Sequence, residues 1–372
     1  MNLQLEHAGQ EEFKKLEDSN KENRKLWEWF KDDSLIVFHK MFKRLGVKFD
    51  VEIGEAFYED AIYDVLKELK EKELLIPSPE GGQIVNLDQF KLPVALIQKS
   101  DGASLYITRD IALLKHRLSK YKPVMIFNEV GNEQTLHFQQ LYAIAQLLGL
   151  KSAKLEHIKH GLVLGPDGKK LSTREGKAVT FESIVDEITS RAYDVVSQKN
   201  AELSEKERRE IAEAVGIGAL KYNDLKEHRT SDIVFNWEKM LDFHGDSAPY
   251  LQYTVVRLLS IIKKAGVSQS TISTHSSENL AAVDDEMKTT IMKKVLDFDD
   301  IVALCAQTRF TSHLAKYLFE LAKLGSQYYE SVRILDDENI SRRNGRLLLI
   351  NSVAQTLTTG LGLLGIQVPE RI

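Results

Sequence analysis

The chain has one cysteine, Cys305, and only seven prolines in 372 residues. A lone thiol excludes an internal disulfide and a cysteine-built zinc site, and the absence of such staples fits a reducing cytoplasm. No apolar run approaches the ~20 residues that a membrane-spanning helix needs. The opening stretch, Met1 to Lys15, lacks the apolar segment of a secretory signal. A soluble, untargeted cytoplasmic protein is therefore expected. Positive charge is also scarce: 50 lysines and arginines against 55 acids leave a net charge of −5. Strong non-specific binding to nucleic acid, which relies on dense basic charge to displace counterions, is disfavoured. Any such contact must be local.

What is present is an ordinary globular composition, 43% apolar and 28% charged. The length exceeds what one hydrophobic core usually serves, so two or three domains are expected. Residues 11–76 carry apolar and charged positions at helical spacing, with Leu26, Phe30, Phe38, Phe42 and Leu45 on one face and Gly46 as a stop. The cluster Pro77-Ser78-Pro79-Glu80-Gly81-Gly82 reads as a turn, and Gln83–Leu87 and Val94–Gln98 read as strands. After a turn at Asp101-Gly102, Leu105–Thr108 is expected to extend and Asp110–Leu118 to be helical, with an acid in the first turn. Pro123–Val130 is an apolar-rich run, as in a strand covered on both faces, and Glu133–Leu148 is an apolar-rich helix closed by Gly149. Strand, loop and helix in that order predict a parallel sheet. Lys154–Leu164 reads as a further strand, and everything from Ser204 onward as helical, with breaks at 245–249, 266–276 and 336–341.

Two places in this pattern suggest chemistry. The loop Gly165–Gly176 packs Lys169, Lys170, Ser172, Thr173 and Arg174 between glycines. Cations on a closable loop suit the charge that gathers on a phosphoryl group, although a solvated basic surface loop would look the same. Gly131-Asn132-Glu133-Gln134 follows the buried strand and opens a helix, which is where open α/β sheets bind nucleotides. Alternatively, Glu133 is a helix N-terminal acid and His137 a satisfied helix histidine.

The loop sequence Lys170-Leu171-Ser172-Thr173-Arg174 resembles the Lys-Met-Ser-Lys-Ser signature of class I aminoacyl-tRNA synthetases, in the Lys-Met-Ser-Thr-Arg form of many arginyl enzymes. Thr173 stands where the second lysine is usual, so that charge must come from Arg174 or from elsewhere in the site. A more specific likeness is Lys99-Ser100-Asp101-Gly102-Ala103-Ser104-Leu105-Tyr106-Ile107-Thr108-Arg109-Asp110-Ile111-Ala112, which is similar to the arginyl family's strand-to-helix segment. The resemblance implies an arginine pocket of Tyr106, Asp110 and Gln134, and an ATP site of Gly131, Glu133, His137 and Leu162. A guanidinium offers five donors and no acceptor, so a carboxylate with phenol and amide oxygens is a fitting partner set. Taken without their neighbours, Asp110 reads as a simple first-turn acid and Tyr106 as a half-buried strand aromatic.

The helical half resembles the same family through Gly216-Ile217-Gly218-Ala219-Leu220-Lys221-Tyr222, Phe235-Asn236-Trp237 and Ala248-Pro249-Tyr250-Leu251-Gln252-Tyr253, and through the chain end from Leu364 to Ile372. It implies an anticodon-reading bundle with Tyr250, Tyr253 and Arg257 as candidate tRNA contacts, spaced three and four apart on one helix side. Core packing of the two tyrosines and a capping role for Arg257 is the competing reading. The early His-Ile-Gly-His element of class I synthetases is not found. His157-Ile158-Lys159-His160 has the spacing, but Lys159 stands where glycine permits close approach, so this segment reads as strand.

The resemblance thus implies an α/β plus all-α fold: a mostly helical connective region at 1–95, the second half of a Rossmann-like catalytic domain at 96–203, and a helical anticodon-binding bundle at 204–372. The implied activity is arginine-tRNA ligase, present as a C-terminal fragment inactive alone. Lys170, Ser172 and Arg174 would be catalytic. Partners would be tRNA, L-arginine and ATP with Mg2+, with no tightly bound cofactor, no metal site and no membrane, acting as a monomer. The alternative is a non-catalytic RNA-binding protein on a synthetase scaffold. A cysteinyl-type synthetase would want a zinc site that Cys305 alone does not make.

Overall fold

A computed structural model describes residues 3–17, 20–102, 104–165, 168–169, 180–267 and 276–372. The chain forms two compact units, Met1–Val51 and Glu52–Ile372. In the first, helices α1 (Leu3–Glu17) and α2 (Lys21–Leu45) form a hairpin. Asn20 caps α2 by accepting from the Glu22 and Asn23 amides, and the Asn23 amide group donates to Glu12. Gly46 ends α2 in the left-handed region (φ 65°), the expected stop, because glycine alone adopts that conformation without a Cβ penalty.

The second unit opens with α3 (Ala61–Glu71), followed by an antiparallel sheet of β1 (Leu75–Pro77), β2 (Gln83–Val85) and β3 (Ala95–Gln98) in that order. The helical pattern over 11–76 thus ends early. Residues 75–77 pair with 83–85 across the expected proline-glycine turn, where Gly81 has φ 90°. Pro77, lacking an N–H, sits in an edge strand where none is required.

Helix α4 (Tyr106–Tyr121) begins four residues before its expected start at Asp110, so Leu105–Thr108 is not an extended segment. Leu105 (φ −108°, ψ 163°) is the last extended residue. The local strand preference of Tyr-Ile-Thr is overridden by tertiary contacts: Ile107 is buried, and the buried Thr108 hydroxyl donates to the Ile97 carbonyl of β3 at 2.7 Å. Asp110 therefore lies in the second turn of the helix, and Tyr106 is a helix residue, 67% exposed, rather than a half-buried strand aromatic.

Strand β4 (Met125–Gly131), helix α5 (Thr135–Leu147) and strand β5 (Lys154–His160) form the predicted parallel unit, with Met125 opposite Lys154 and Gly131 opposite His160. The expectation that the 123–130 run is covered on both faces is not met: Ile126 is buried, but Val124 is 87% and Phe127 47% exposed. Among the described residues β4 pairs with β5 alone, so only its inward-pointing side chains meet a core. The expected long strand 154–164 is broken at Gly161, whose amide donates to the Arg229 carbonyl, and β6 (Val163–Leu164) pairs instead with a later strand.

Helices α6 (Phe181–Lys199) and α7 (Glu205–Leu225) pack as a pair. Ser204 and Glu207 form a reciprocal capping box at the start of α7. The segment after α7 was expected to continue helical. It instead leaves the helix, supplies β7 (Ile233–Val234) to β6, and leads to the short α8 (Trp237–Met240). The bundle follows as α9 (Ala248–Lys264), α10 (Ser276–Ala281), α11 (Met287–Leu296), α12 (Phe298–Thr308), α13 (Ser312–Ser331) and α14 (Ile340–Leu363). Its core joins Leu251, Val255 and Leu258 of α9 to Leu318, Leu321 and Tyr328 of α13 and Ile350, Val353 and Leu357 of α14. The expected breaks before Pro249 and around Asp336–Ser341 fall between helices. No helix among the described residues is long and apolar enough to cross a membrane.

Candidate active site

Asp110 on α4 and His137 on α5 face each other, with the imidazole Nε2 2.6 Å from a carboxylate oxygen and both side chains half-buried. Beside them is a cavity of about 220 Å³ lined by Asp110, Arg117, Phe127, Asn128, Phe138 and Tyr142. Its polar wall is organised. Arg117 donates to the Asn128 side-chain oxygen at 3.3 Å, and the Asn128 amide donates to the Tyr142 hydroxyl at 2.7 Å. Burial pushes the Tyr142 phenol above its ordinary pKa, so it stays protonated as a neutral donor at physiological pH.

Tyr106 lies one helical turn before Asp110 on the same side of α4, with the Arg109 guanidinium 5.9 Å from its ring centre. Gln134 is exposed and occupies the N-cap position of α5. Tyr106, Asp110 and Gln134 therefore come from the starts of two neighbouring helices, and only Asp110 lines the cavity.

The β4–α5 junction carries the candidate nucleotide residues. The Glu133 carboxylate folds back over Gly131: a Cβ there would lie 2.5 Å from a Glu133 oxygen, so glycine leaves room for that side chain. Thr135 donates to the Asn132 carbonyl at 2.6 Å, and the Asn132 amide donates to the Thr230 carbonyl at 2.9 Å. Across the parallel pair, His160 lies 3.2 Å from Glu129, and Leu162 donates its amide to Asp232 at 2.8 Å. His137 is engaged with Asp110, so the structure joins a residue assigned to the nucleotide with one assigned to arginine. The stretch His157–His160 is strand, as expected. His157 bonds the Val130 carbonyl at 3.0 Å and packs on Phe138, which gives it a structural place.

The loop residues Lys170, Ser172 and Arg174 lie outside the described residues. At the near edge of that loop, the Gly165 amide donates to the Lys169 carbonyl at 2.8 Å and Gly168 has φ 73°.

On α9 one of the three candidate tRNA contacts, Tyr250, parts from the other two. Tyr250 packs edge-on against Phe319 with its hydroxyl 3.4 Å from Ser326. Tyr253 faces Phe243 and the Lys199 ammonium, and Arg257 lies 5.4 Å from the Tyr253 ring and 4.5 Å from that of Tyr329. Sequence reasoning missed Arg117, Asn128 and Tyr142. The usable signal was Asn128, which with Glu129 interrupts the apolar residues of its strand.

A parallel strand-helix-strand unit with its candidate residues at the strand ends, joined to a helical bundle, is the arrangement of a class I aminoacyl-tRNA synthetase, and comparison with known proteins agrees. The family described as tRNA synthetases class I (R), catalytic domain, matches residues 4–237, and the DALR anticodon binding domain matches residues 251–372. The chain belongs to the arginyl-tRNA synthetase family. It is 40% identical over 370 residues to the arginine–tRNA ligase of Levilactobacillus brevis, covering 99% of this chain and 64% of that protein. Against the arginine–tRNA ligase of Ligilactobacillus salivarius it is 40% identical over 372 residues, covering 100% and 64%. It therefore spans less than two thirds of the length of these relatives. The arginyl-tRNA synthetase structure from Plasmodium falciparum superposes with a TM-score of 0.83 at 26% identity, covering 97% of this chain and 61% of that one. The Thermus thermophilus structure gives 0.78 at 23% identity, covering 90% and 62%, a likeness of fold.

Proposed function

We propose that the protein to which this chain contributes is an arginine-tRNA ligase. The arginine carboxylate attacks the α-phosphate of ATP, pyrophosphate leaves, and the arginyl group then passes from the adenylate to a hydroxyl at the 3′ end of tRNA with release of AMP. Asp110 carries this reading: a carboxylate half-buried at a polar cavity, on the helix whose sequence matches the arginyl segment. It would form a charge-assisted pair with the substrate guanidinium, with Tyr106 and Gln134 as neutral acceptors. Gly131, Glu133, His137 and Leu162 would receive ATP, which would arrive with Mg2+. Lys170, Ser172 and Arg174 would stabilise phosphate charge. Residues 96–203 would supply the second catalytic half, 1–95 the connective region, and 204–372 the anticodon bundle.

The test is arginine-dependent ATP–pyrophosphate exchange in the presence of tRNA, run on this chain and on the longest form its gene encodes, each with and without Asp110→Ala. Exchange that disappears in the variant supports the assignment. No exchange in either form would overturn catalysis and leave RNA binding on a synthetase scaffold.

A further inference from the structure

The loop that follows α7 grips the carboxyl end of β5 on one side and the helical bundle on the other, and Arg229 joins the two. Its Nε donates to the Arg309 carbonyl at 3.1 Å, a terminal nitrogen donates to the Lys159 carbonyl, and the guanidinium lies 4.8 Å from the centre of the Phe310 ring. His228 stacks on the same ring at 4.2 Å, and Thr311 donates to the Leu225 carbonyl at 2.9 Å. On the sheet side, the Arg229 carbonyl accepts from the Gly161 amide at 2.8 Å, Asp232 accepts from the Leu162 amide at 2.8 Å, and the Thr230 carbonyl accepts from Asn132. The fit has no slack, since a Cβ on Gly161 would stand 2.1 Å from the Ser231 carbonyl oxygen. Arg309, itself at φ 64°, reaches back in the opposite sense, its guanidinium 4.6 Å over Phe127 and 3.8 Å from Glu156.

A guanidinium holds its donors in one rigid plane, so two carbonyls bonded to it at once are kept at a set separation; a lysine ammonium on a flexible stem imposes no such constraint. Moving the 309–311 turn therefore either breaks an Arg229 bond or displaces residues 159–162 with it. Those residues include Leu162 and lead through β6 to the lysine-rich loop. We propose that Arg229 is a positioning residue that transmits the placement of the Arg309–Thr311 turn of the bundle to the nucleotide side of the sheet, through the backbone of residues 159–162. The destination of that transmission rests on the nucleotide reading above. The clasp itself does not.

The experiment is hydrogen exchange on the whole chain for the unaltered protein, Arg229→Ala, Arg229→Lys and Phe310→Leu, with ATP affinity measured on the same samples. Phe310→Leu removes the ring beneath the guanidinium without touching the sheet. The Gly161 and Leu162 amides are expected to exchange at least tenfold faster in both Arg229 variants and several-fold faster in Phe310→Leu. Amides of Leu318 and Leu321 in the bundle core should stay within twofold, and ATP affinity should fall at least fivefold. Lysine failing to rescue is part of the expectation, because charge alone does not fix two carbonyls. Unchanged exchange at 161–162 in Arg229→Ala would overturn the clasp. An effect of Phe310→Leu confined to the 309–311 turn would overturn transmission, and acceleration throughout the bundle core would reduce Arg229 to a general staple. Failure of the unaltered chain to bind ATP would overturn the nucleotide reading instead, and the exchange data would still decide the clasp.

Discussion

His137 on α5 holds its Nε2 2.6 Å from the Asp110 carboxylate on α4, so this acid at the cavity wall is already oriented by a neighbouring imidazole. An incoming guanidinium would share that carboxylate through its second oxygen. Charge-assisted hydrogen bonds contribute roughly 1.5–3 kcal/mol each. Asp110→Asn in the longest form that the gene encodes is therefore expected to weaken arginine binding by about 10- to 100-fold, while ATP affinity stays within a few-fold. Isothermal titration with each ligand measures this, and equal loss of both would remove Asp110 from the arginine pocket.

Gly131 and Gly161 make a matched pair of tests. At Gly131 an added Cβ meets the tip of the flexible Glu133 side chain, whereas at Gly161 it meets the Ser231 backbone. A side chain rotates away; a bonded backbone does not. Gly161→Ala should destabilise the fold by about 1–3 kcal/mol, the usual range for overpacking. Gly131→Ala should unfold close to the unaltered protein in urea while displacing Glu133 and lowering ATP affinity. Equal midpoints for the two variants would contradict the geometry.

The parallel unit, the helical second half and most turn positions were legible because periodicity and glycine-proline punctuation are local signals. The start of α4 was not. Tyr106, Ile107 and Thr108 favour strand locally, and only the distant Ile97 carbonyl and the surrounding core draw them into a helix. The exposure of Phe127 was equally hidden, because an apolar run reports that a strand forms and not how many neighbours it has. Of the site, the resemblance named Asp110 and His137 separately, but their contact spans two helices and is invisible to spacing. The loop at 226–236 is polar and short of apolar period, so nothing in its sequence signalled that Arg229 binds two distant carbonyls.

A pH dependence is built into the bundle. Arg346 bonds both Asp285 and Asp337, and Arg342 bonds Asp337 at 2.6 Å. The Arg342 hydrogen bond is the main cause that pulls the Asp337 carboxyl down to about 2. At Asp285 burial pushes upward, but the bonds from Arg346 and Tyr328 outweigh it and leave the group lowered. A folded pKa below the unfolded one means that this stabilisation is complete above about pH 4 and is lost as the pH falls through the folded value near 2. Asp337→Asn should therefore melt lower than the unaltered chain at pH 6, and the gap should narrow steadily from pH 4 toward pH 2. A gap independent of pH would show that the carboxylate charge is not what the arginines recognise.

The α9 residues separate into a packing residue and an exposed one. Tyr250 lies partly buried against Phe319 and the bundle core, so Tyr250→Ala removes ring contacts and should destabilise by about 1–3 kcal/mol, less than the full cost of truncating a core aromatic. Arg257 is 39% exposed, and its nearest acid, Glu330, is 3.9 Å away and largely in solvent. Such surface pairs contribute about 0–1 kcal/mol, so Arg257→Ala should leave the melting temperature almost unchanged. Its guanidinium lies 5.4 Å from the Tyr253 ring and 4.5 Å from the Tyr329 ring, a cluster on which a splayed base would stack in the proposed reading. If α9 meets the anticodon, Arg257→Ala should weaken tRNA binding about tenfold, in keeping with the ~1–3 kcal/mol of a base stacked on an aromatic face. Filter binding across a salt series separates the two contributions, since a pure charge contact would also flatten the salt slope while a stacking contact would not. Unchanged tRNA affinity in this folded variant would move the RNA-binding surface off this face of α9.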